Sequence, residues 1–327
     1  RLSDTVGRVP IIMFGTLMAV LANSLYIFVP FVAGFLFLRL LHGLTVGFTA
    51  TGSTAYISDV VPLEKRGEAM GFFGLMNNVG AGIAPLFGSF IVKKAGITEM
   101  FITAGLLAVG SALIFYNIKE TLPEKQKFNI KLLNLRKQDL AERRVWLPAL
   151  IMTLMVFSFG TVLTVGFDLA KSLHASNKGS ILMIMTLSSV LIRVVAGRFS
   201  DRYGRKTTML IGLITLSGGL ILMANAHTLT SLFIGTAIVG MANGMNNPTI
   251  FAWVTDWSHP SNKGRAISTL FIALEAGIGM GALISGAIYK NKMENIAYPF
   301  YLAAALTIVA TIILSATWKY KPKLILE

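Results

Sequence analysis

Ten stretches of this chain are long and apolar enough to cross a lipid bilayer, which leaves few folds open to it. They cover approximately residues 10–28, 31–57, 67–92, 98–116, 147–169, 179–198, 207–225, 229–254, 265–289 and 296–317. Roughly 20 residues of helix span a hydrocarbon core about 30 Å thick. Within that core every backbone N–H and C=O must be satisfied by the protein itself, so only helices and closed barrels can cross. Barrel strands are shorter and alternate apolar with polar residues. These segments do neither, and the expected fold is all-α and integral to the membrane. Only 13% of the residues are charged, against about 25% in soluble domains.

A net charge of +14 would suit nucleic acid, but its placement argues against that partner. Assigning alternate connections to opposite faces puts 21 Lys and Arg on one side and 6 on the other, with Arg39 and Arg193 inside spans. Basic residues collect on the cytoplasmic side of membrane proteins. The linker at 117–146 and the C-terminal Lys319–Lys323 are therefore expected to be cytoplasmic, and the basic charge fixes topology. Cysteine is absent, which removes disulfides, thiol chemistry and Cys-based metal sites. There is no HExxH or Walker-type motif, so neither zinc hydrolysis nor ATP-driven transport has support. No enzyme, cofactor or metal is expected.

A short polar stretch occurs twice. Arg1, Ser3, Asp4, Gly7 and Arg8 recur as Arg198, Ser200, Asp201, Gly204 and Arg205, each 197 positions later. The offset holds for Asp59 and Asp256, Gly67 and Gly264, Gly43 and Gly240, Gly47 and Gly244, Gly80 and Gly277. So many identities in one register indicate duplication, and parallel repeats about an axis along the membrane normal are a known transporter plan. The second copy of the polar stretch follows two spans. By symmetry about two more helices are expected upstream of Arg1. The expectation is two pseudo-symmetric helical bundles with ten of twelve transmembrane helices present: residues 1–116, a linker at 117–146 and a six-helix bundle at 147–327.

These residues resemble the major facilitator superfamily. Gly197, Asp201, Arg202, Gly204, Arg205 and Lys206 are similar to its motif A, and Arg1–Arg8 to the N-terminal copy. Arg39, His42 and Gly43 resemble motif B, with His where the pattern prefers Gln. Gly71, Gly80, Ala84, Pro85 and Gly88 follow the spacing of motif C, with Ala84 and Ser89 replacing two glycines. Glu120-Thr121, with Pro123 after it, is similar to the usual exit from the sixth helix. The resemblance implies a monomeric, multi-pass transporter of a bacterial inner membrane working by alternating access, and motif C is associated with proton-coupled drug and metabolite exporters.

Asp4 and Arg8 lie four residues apart, and Asp59 ends a span on the same side. A carboxylate, guanidinium, carboxylate chain can join helix ends through charge-assisted hydrogen bonds, and Asp201, Arg205 and Asp256 repeat it. Asp4 and Asp201 could also approach positive helix N-termini of the opposite half, at Gly264 and Gly67, where negative charge is favoured. Together with Gly197, Arg202 and Gly204 these residues are read as a cytoplasmic gate. Loops that only set topology are the simpler alternative.

Ionisable groups inside spans are costly and so point to chemistry. Glu275 lies about 16 Å of helical rise into its span, near the midplane, where an unpaired carboxyl favours its neutral form and can carry a proton. Arg39 and His42, three apart, share a helix face. The resemblance implicates Arg39 in proton or substrate coupling, while a histidine such as His42 is more often the partner in an interhelical hydrogen bond. Asn78 is the repeat counterpart of Glu275. Asn243, Asn246 and Asn247 are candidates to line a cavity or to bond between helices. Arg193, one turn before Gly197, reads as an arginine reaching the cytoplasmic interface. The linker alternates basic residues with Phe128, Leu132, Leu133, Leu135 and Leu140, as an amphipathic helix on the lipid surface does.

The expected function is proton-coupled export of a small organic solute or drug. Proton symport of a sugar or other metabolite into the cell, and a transporter-like receptor or scaffold, stand as alternatives. The partners are a small molecule, protons and membrane lipid.

Overall fold

A computed structural model describes residues 2–29, 31–62, 65–122, 129, 142–177, 179–258 and 263–320. The side-chain surroundings of Asp4, Gly67, Gly71, Asn78 and Gly264, and most of the expected linker helix, lie outside the described residues. Every regular element described is helical. The first part of the chain holds α1 (Leu2–Thr5), α2 (Arg8–Tyr26), α3 (Val32–Val60), α4 (Arg66–Lys94) and α5 (Ile97–Tyr116). After the linker come α6 (Trp146–Thr161) and α7 (Phe167–Ser172), joined by a π turn over Val162–Gly166. Then follow α8 (Ser180–Tyr203), α9 (Arg205–Ala224), α10 (Leu229–Trp257), α11 (Lys263–Tyr289) and α12 (Tyr298–Ala316).

Among the described residues eight helices are long and apolar enough to span a membrane. A ninth span is α8, bent by 49° between Arg193 and Val195. The 29-residue α10 falls outside this set, because Asn243, Asn246 and Asn247 dilute its apolar run. The sequence expectation of ten spans counted it.

Lipid explains which side chains face outward. In the first unit Phe14, Leu17 and Leu21 form one exposed stripe on α2, while Ile11, Ile12, Ala22 and Tyr26 of the same helix are buried. Apolar residues all round a helix belong in a bilayer. On α5, Leu106, Leu107, Leu113 and Ile114 are likewise exposed.

The chain divides into two compact units, residues 1–77 with 87–135, and residues 78–86 with 136–327. In the first, α2 packs on α3 and α5; in the second, α6 packs on α11 and α12, α8 on α10, and α9 on α10 and α12. Small residues set the closest approaches, as in membrane bundles generally. A Cβ at Gly240 or Gly244 of α10 would strike the α8 backbone at Met185 or Ser189. Their first-unit counterparts, Gly43 and Gly47, have nothing within 4 Å among the described residues. Another pair packs alike in both units. Gly15 lies against Thr49, and Gly212, 197 positions on, lies against Asn246, the counterpart of Thr49.

Candidate functional site

The repeated polar stretch builds the same joint in each unit. Gly7 and Gly204 take φ values of 129° and 92°, conformations that glycine adopts without steric cost, and so turn the chain sharply into α2 and α9. The arginine that follows is thereby aimed at the C-terminal end of a neighbouring helix. Arg8 Nε donates to Asp59 Oδ2 at 3.0 Å, and Arg205 Nε donates to Asp256 Oδ2 at 3.0 Å. Arg8 Nη1 also donates to the Ser3 carbonyl at 2.6 Å, and Arg205 Nη1 to Ser200 Oγ at 2.9 Å and to Asp201 Oδ1. Each arginine thus bridges two helix ends through charge-assisted bonds.

A second tie per unit joins the first turn of α2 or α9 to the segment after the last helix of that unit, with opposite chemistry. In the first unit Glu120 accepts the backbone N–H groups of Arg8, Val9, Thr121 and Leu122 at 2.9–3.2 Å. Burial pushes this carboxyl up, but the four N–H donors outweigh it and hold the group below the usual value. In the second unit Lys206, the counterpart of Val9, donates from Nζ to the carbonyls of Thr317, Trp318 and Tyr320 at 2.6–2.9 Å. Its ammonium also lies 5.9 and 5.4 Å from the ring centroids of Trp253 and Trp257, within cation–π range.

Deeper in the second unit is a cavity of about 210 Å³. Its walls are mainly apolar: Val156 and Phe159 of α6, Leu182 and Met185 of α8, Leu274 and Ile278 of α11. Polar groups enter from two faces, Thr186, Ser189 and Arg193 of α8 and Asn243 and Asn247 of α10. The α8 residues recur at helical spacing and so share one side. The close contact of Gly240 and Gly244 with α8 brings the asparagine face of α10 beside them. Arg193 Nε and Asn247 Oδ1 are buried without a hydrogen-bond partner among the described residues.

In the first unit Arg39 lies 5.3 Å from the ring centroids of both Tyr26 and Phe35. His42 Nδ1 is 3.4 Å from the Tyr26 hydroxyl, and Phe101 stacks on Tyr26 at 5.0 Å. Tyr26 is buried and gathers the cluster.

The profile described as Major Facilitator Superfamily matches residues 1–170 and again 149–324. The chain belongs to the major facilitator superfamily. Its members are transporters rather than enzymes, and this protein is a multi-pass membrane transporter. Similar superfamily proteins include Multidrug resistance protein 2 of Bacillus subtilis strain 168, 23% identical over 98% of this chain and 82% of its own length. The multi-drug resistance efflux pump PmrA of Streptococcus pneumoniae serotype 4 is 26% identical over 87% of this chain and 74% of its own. Among solved structures, the human organic anion transporter MFSD10 superimposes with a TM-score of 0.70 at 20% identity, covering 95% of this chain and 78% of that one. A mutant of the peptide transporter POT in complex with alafosfalin gives 0.79 at 14%, covering 97% and 81%. Identities this low show the shared fold alone.

Within this superfamily fold the expected site residues fall in different places. Arg8 and Asp59 meet, as do Asp201, Arg205 and Asp256. Arg202 lies over Tyr203 at 5.4 Å and is exposed, and Gly197 is exposed with open space around it. Asn243 and Asn247 line the cavity, whereas fully buried Asn246 turns to Gly212 of α9. Glu275 is exposed on α11, beside Leu274 but off the cavity wall. Pro85 lies inside α4, Gly80 has open space, Ala84 is exposed, and Gly88 is 3.7 Å from Met100 Sδ as measured from an added Cβ. Arg193 reaches the cavity rather than the interface expected from sequence. Three residues of these clusters carry no motif in the sequence: Tyr26, Thr186 and Ser189. The last two were signalled by their helical spacing to Arg193.

Proposed function

We propose that this transporter exports a small organic solute or drug in exchange for protons, by alternating access. The observation that carries the export reading is the set of relatives. Multidrug resistance proteins, an efflux pump and the tetracycline resistance protein, class H, of Pasteurella multocida each match most of this chain. A mainly apolar cavity with a few polar groups suits a small organic ligand.

In this reading the Arg8–Asp59 and Arg205–Asp256 joints hold helix ends on the cytoplasmic side, where the linker and the C-terminus also lie. Asp4, Arg202, Gly67 and Gly264 complete the gate, with Gly7 and Gly204 supplying its turns. Glu275 carries the proton, with Asn78 as its counterpart, and Arg39 and His42 couple proton to substrate through Tyr26. The helix holding Gly71, Gly80, Ala84, Pro85 and Gly88 biases exchange toward export. The protein acts as a monomer in the bacterial inner membrane.

Residues 1–327 contain no cysteine, so one engineered among them reports access at its own position. Ser189→Cys in the full-length protein should react with a membrane-impermeant maleimide from one side at a time, and a proton gradient should change which side. Simultaneous reaction from both sides at full rate, unaffected by the gradient, would count against alternating access.

A further inference from the structure

Arg193 is the feature that the gate and the proton path leave unused. A guanidinium cannot shed its proton at physiological pH, and an uncompensated cation inside a span costs a few kcal/mol. Yet no carboxylate pairs with it among the described residues, and its Nε is buried without an acceptor. It lies where α8 bends by 49°, on the face that also presents Thr186 and Ser189 to the cavity. Across from them Asn247 has a buried Oδ1 with no partner among the described residues, and Asn243 stands one turn away. Amide oxygen and nitrogen are assigned from their surroundings, so Asn247 can offer a donor or an acceptor to a ligand.

We propose that this cavity binds an amphipathic organic anion, its carboxylate held by Arg193 and Asn247 and its apolar body against Val156, Phe159, Leu182 and Ile278. A planar carboxylate matches the guanidinium fork, compensates the charge and gives Nε its acceptor. The apolar walls select against small inorganic anions, which would leave Phe159 and Leu182 unmatched. At about 210 Å³ the space is smaller than the roughly 300–1,000 Å³ of drug-sized pockets, so a compact acid fits best. The inference rests on the reading of the protein as a solute transporter and names the class of solute for this cavity.

The test is equilibrium binding of 2-naphthoate to the purified full-length protein, with 2-naphthamide as the neutral isostere. A charge-assisted, bidentate contact predicts at least a roughly tenfold preference for the acid. Arg193→Gln should abolish that preference, and Arg193→Lys should keep part of it. Equal binding of acid and amide by the wild type would overturn the proposal without any variant, as would a preference that survives Arg193→Gln. Proton flux in vesicles is read in parallel. Arg193-dependent binding without proton flux would retire the proton-coupled reading and leave the site, whereas flux with no preference for the acid would leave proton coupling and retire the site.

Discussion

Glu120 accepts the backbone N–H of Arg8 at 3.0 Å, and so ties the segment after α5 to the first turn of α2. In the other unit the same two chain segments are joined from the opposite direction, by Lys206 donating to the Thr317 carbonyl at 2.9 Å. Val9 and Lys206 are repeat counterparts, as are Glu120 and Thr317. An acid on one segment has been exchanged for a base on the other, and the joint has been kept.

Glu120→Ala leaves four backbone N–H groups without their acceptor and should destabilise the protein by about 2 kcal/mol, measured as a lower Tm in detergent. The pH dependence follows from the lowered carboxyl. Its contribution is complete above the ordinary carboxylate value and is lost as pH falls through the lower folded value. The difference in Tm between wild type and Glu120→Ala should therefore be constant near neutrality and shrink only in acid. A difference that grew toward acid would contradict this account.

Asp256→Asn separates a gate from a structural ion pair. The Asp256 side chain is 52% exposed, and exposed pairs contribute about 0–1 kcal/mol, so Tm should hardly move. If the joint acts in gating, transport should nevertheless fall by an order of magnitude or more, and Asp59→Asn should behave alike. Transport at wild-type rates in both variants would leave the joint as topology alone.

Gly244→Val should be severe, because the α8 backbone at Ser189 occupies the added volume. Overpacking of this kind costs about 1–3 kcal/mol or more and should lower both Tm and folded yield. Gly218 has nothing within 4 Å, so Gly218→Ala should be neutral or raise stability by up to about 1 kcal/mol through helix propensity. Equal tolerance at the two positions would show that α8 and α10 do not approach as described.

The duplication was legible because identities at one offset survive wherever geometry leaves no substitute. Gly7 and Gly204 must take positive φ, and Arg8 and Arg205 must reach an aspartate 51 positions on. The second tie was illegible for the opposite reason. Glu120 and Lys206 perform one task with unlike residues, which a search for identities passes over. The distance of Arg193 from Gly197 suits an interfacial arginine; only the bend in α8 and the proximity of α10 turn it toward the cavity. The asparagines of α10 are neighbours in sequence, but one helix face holds Asn243 and Asn247, while Asn246 points a different way. The depth of Glu275 in its span is legible in the sequence, a quantity that says nothing of the direction its side chain takes.

The central claim is substrate exchange for protons, and it is tested most directly by proton flux in proteoliposomes of the full-length protein. Tetracycline and 2-naphthoate would be added in turn to one side, with internal pH followed by a trapped dye. An outward substrate gradient should drive protons inward, and Glu275→Gln should abolish the flux. Protons moving with the substrate, or no substrate-dependent flux from either side, would contradict it.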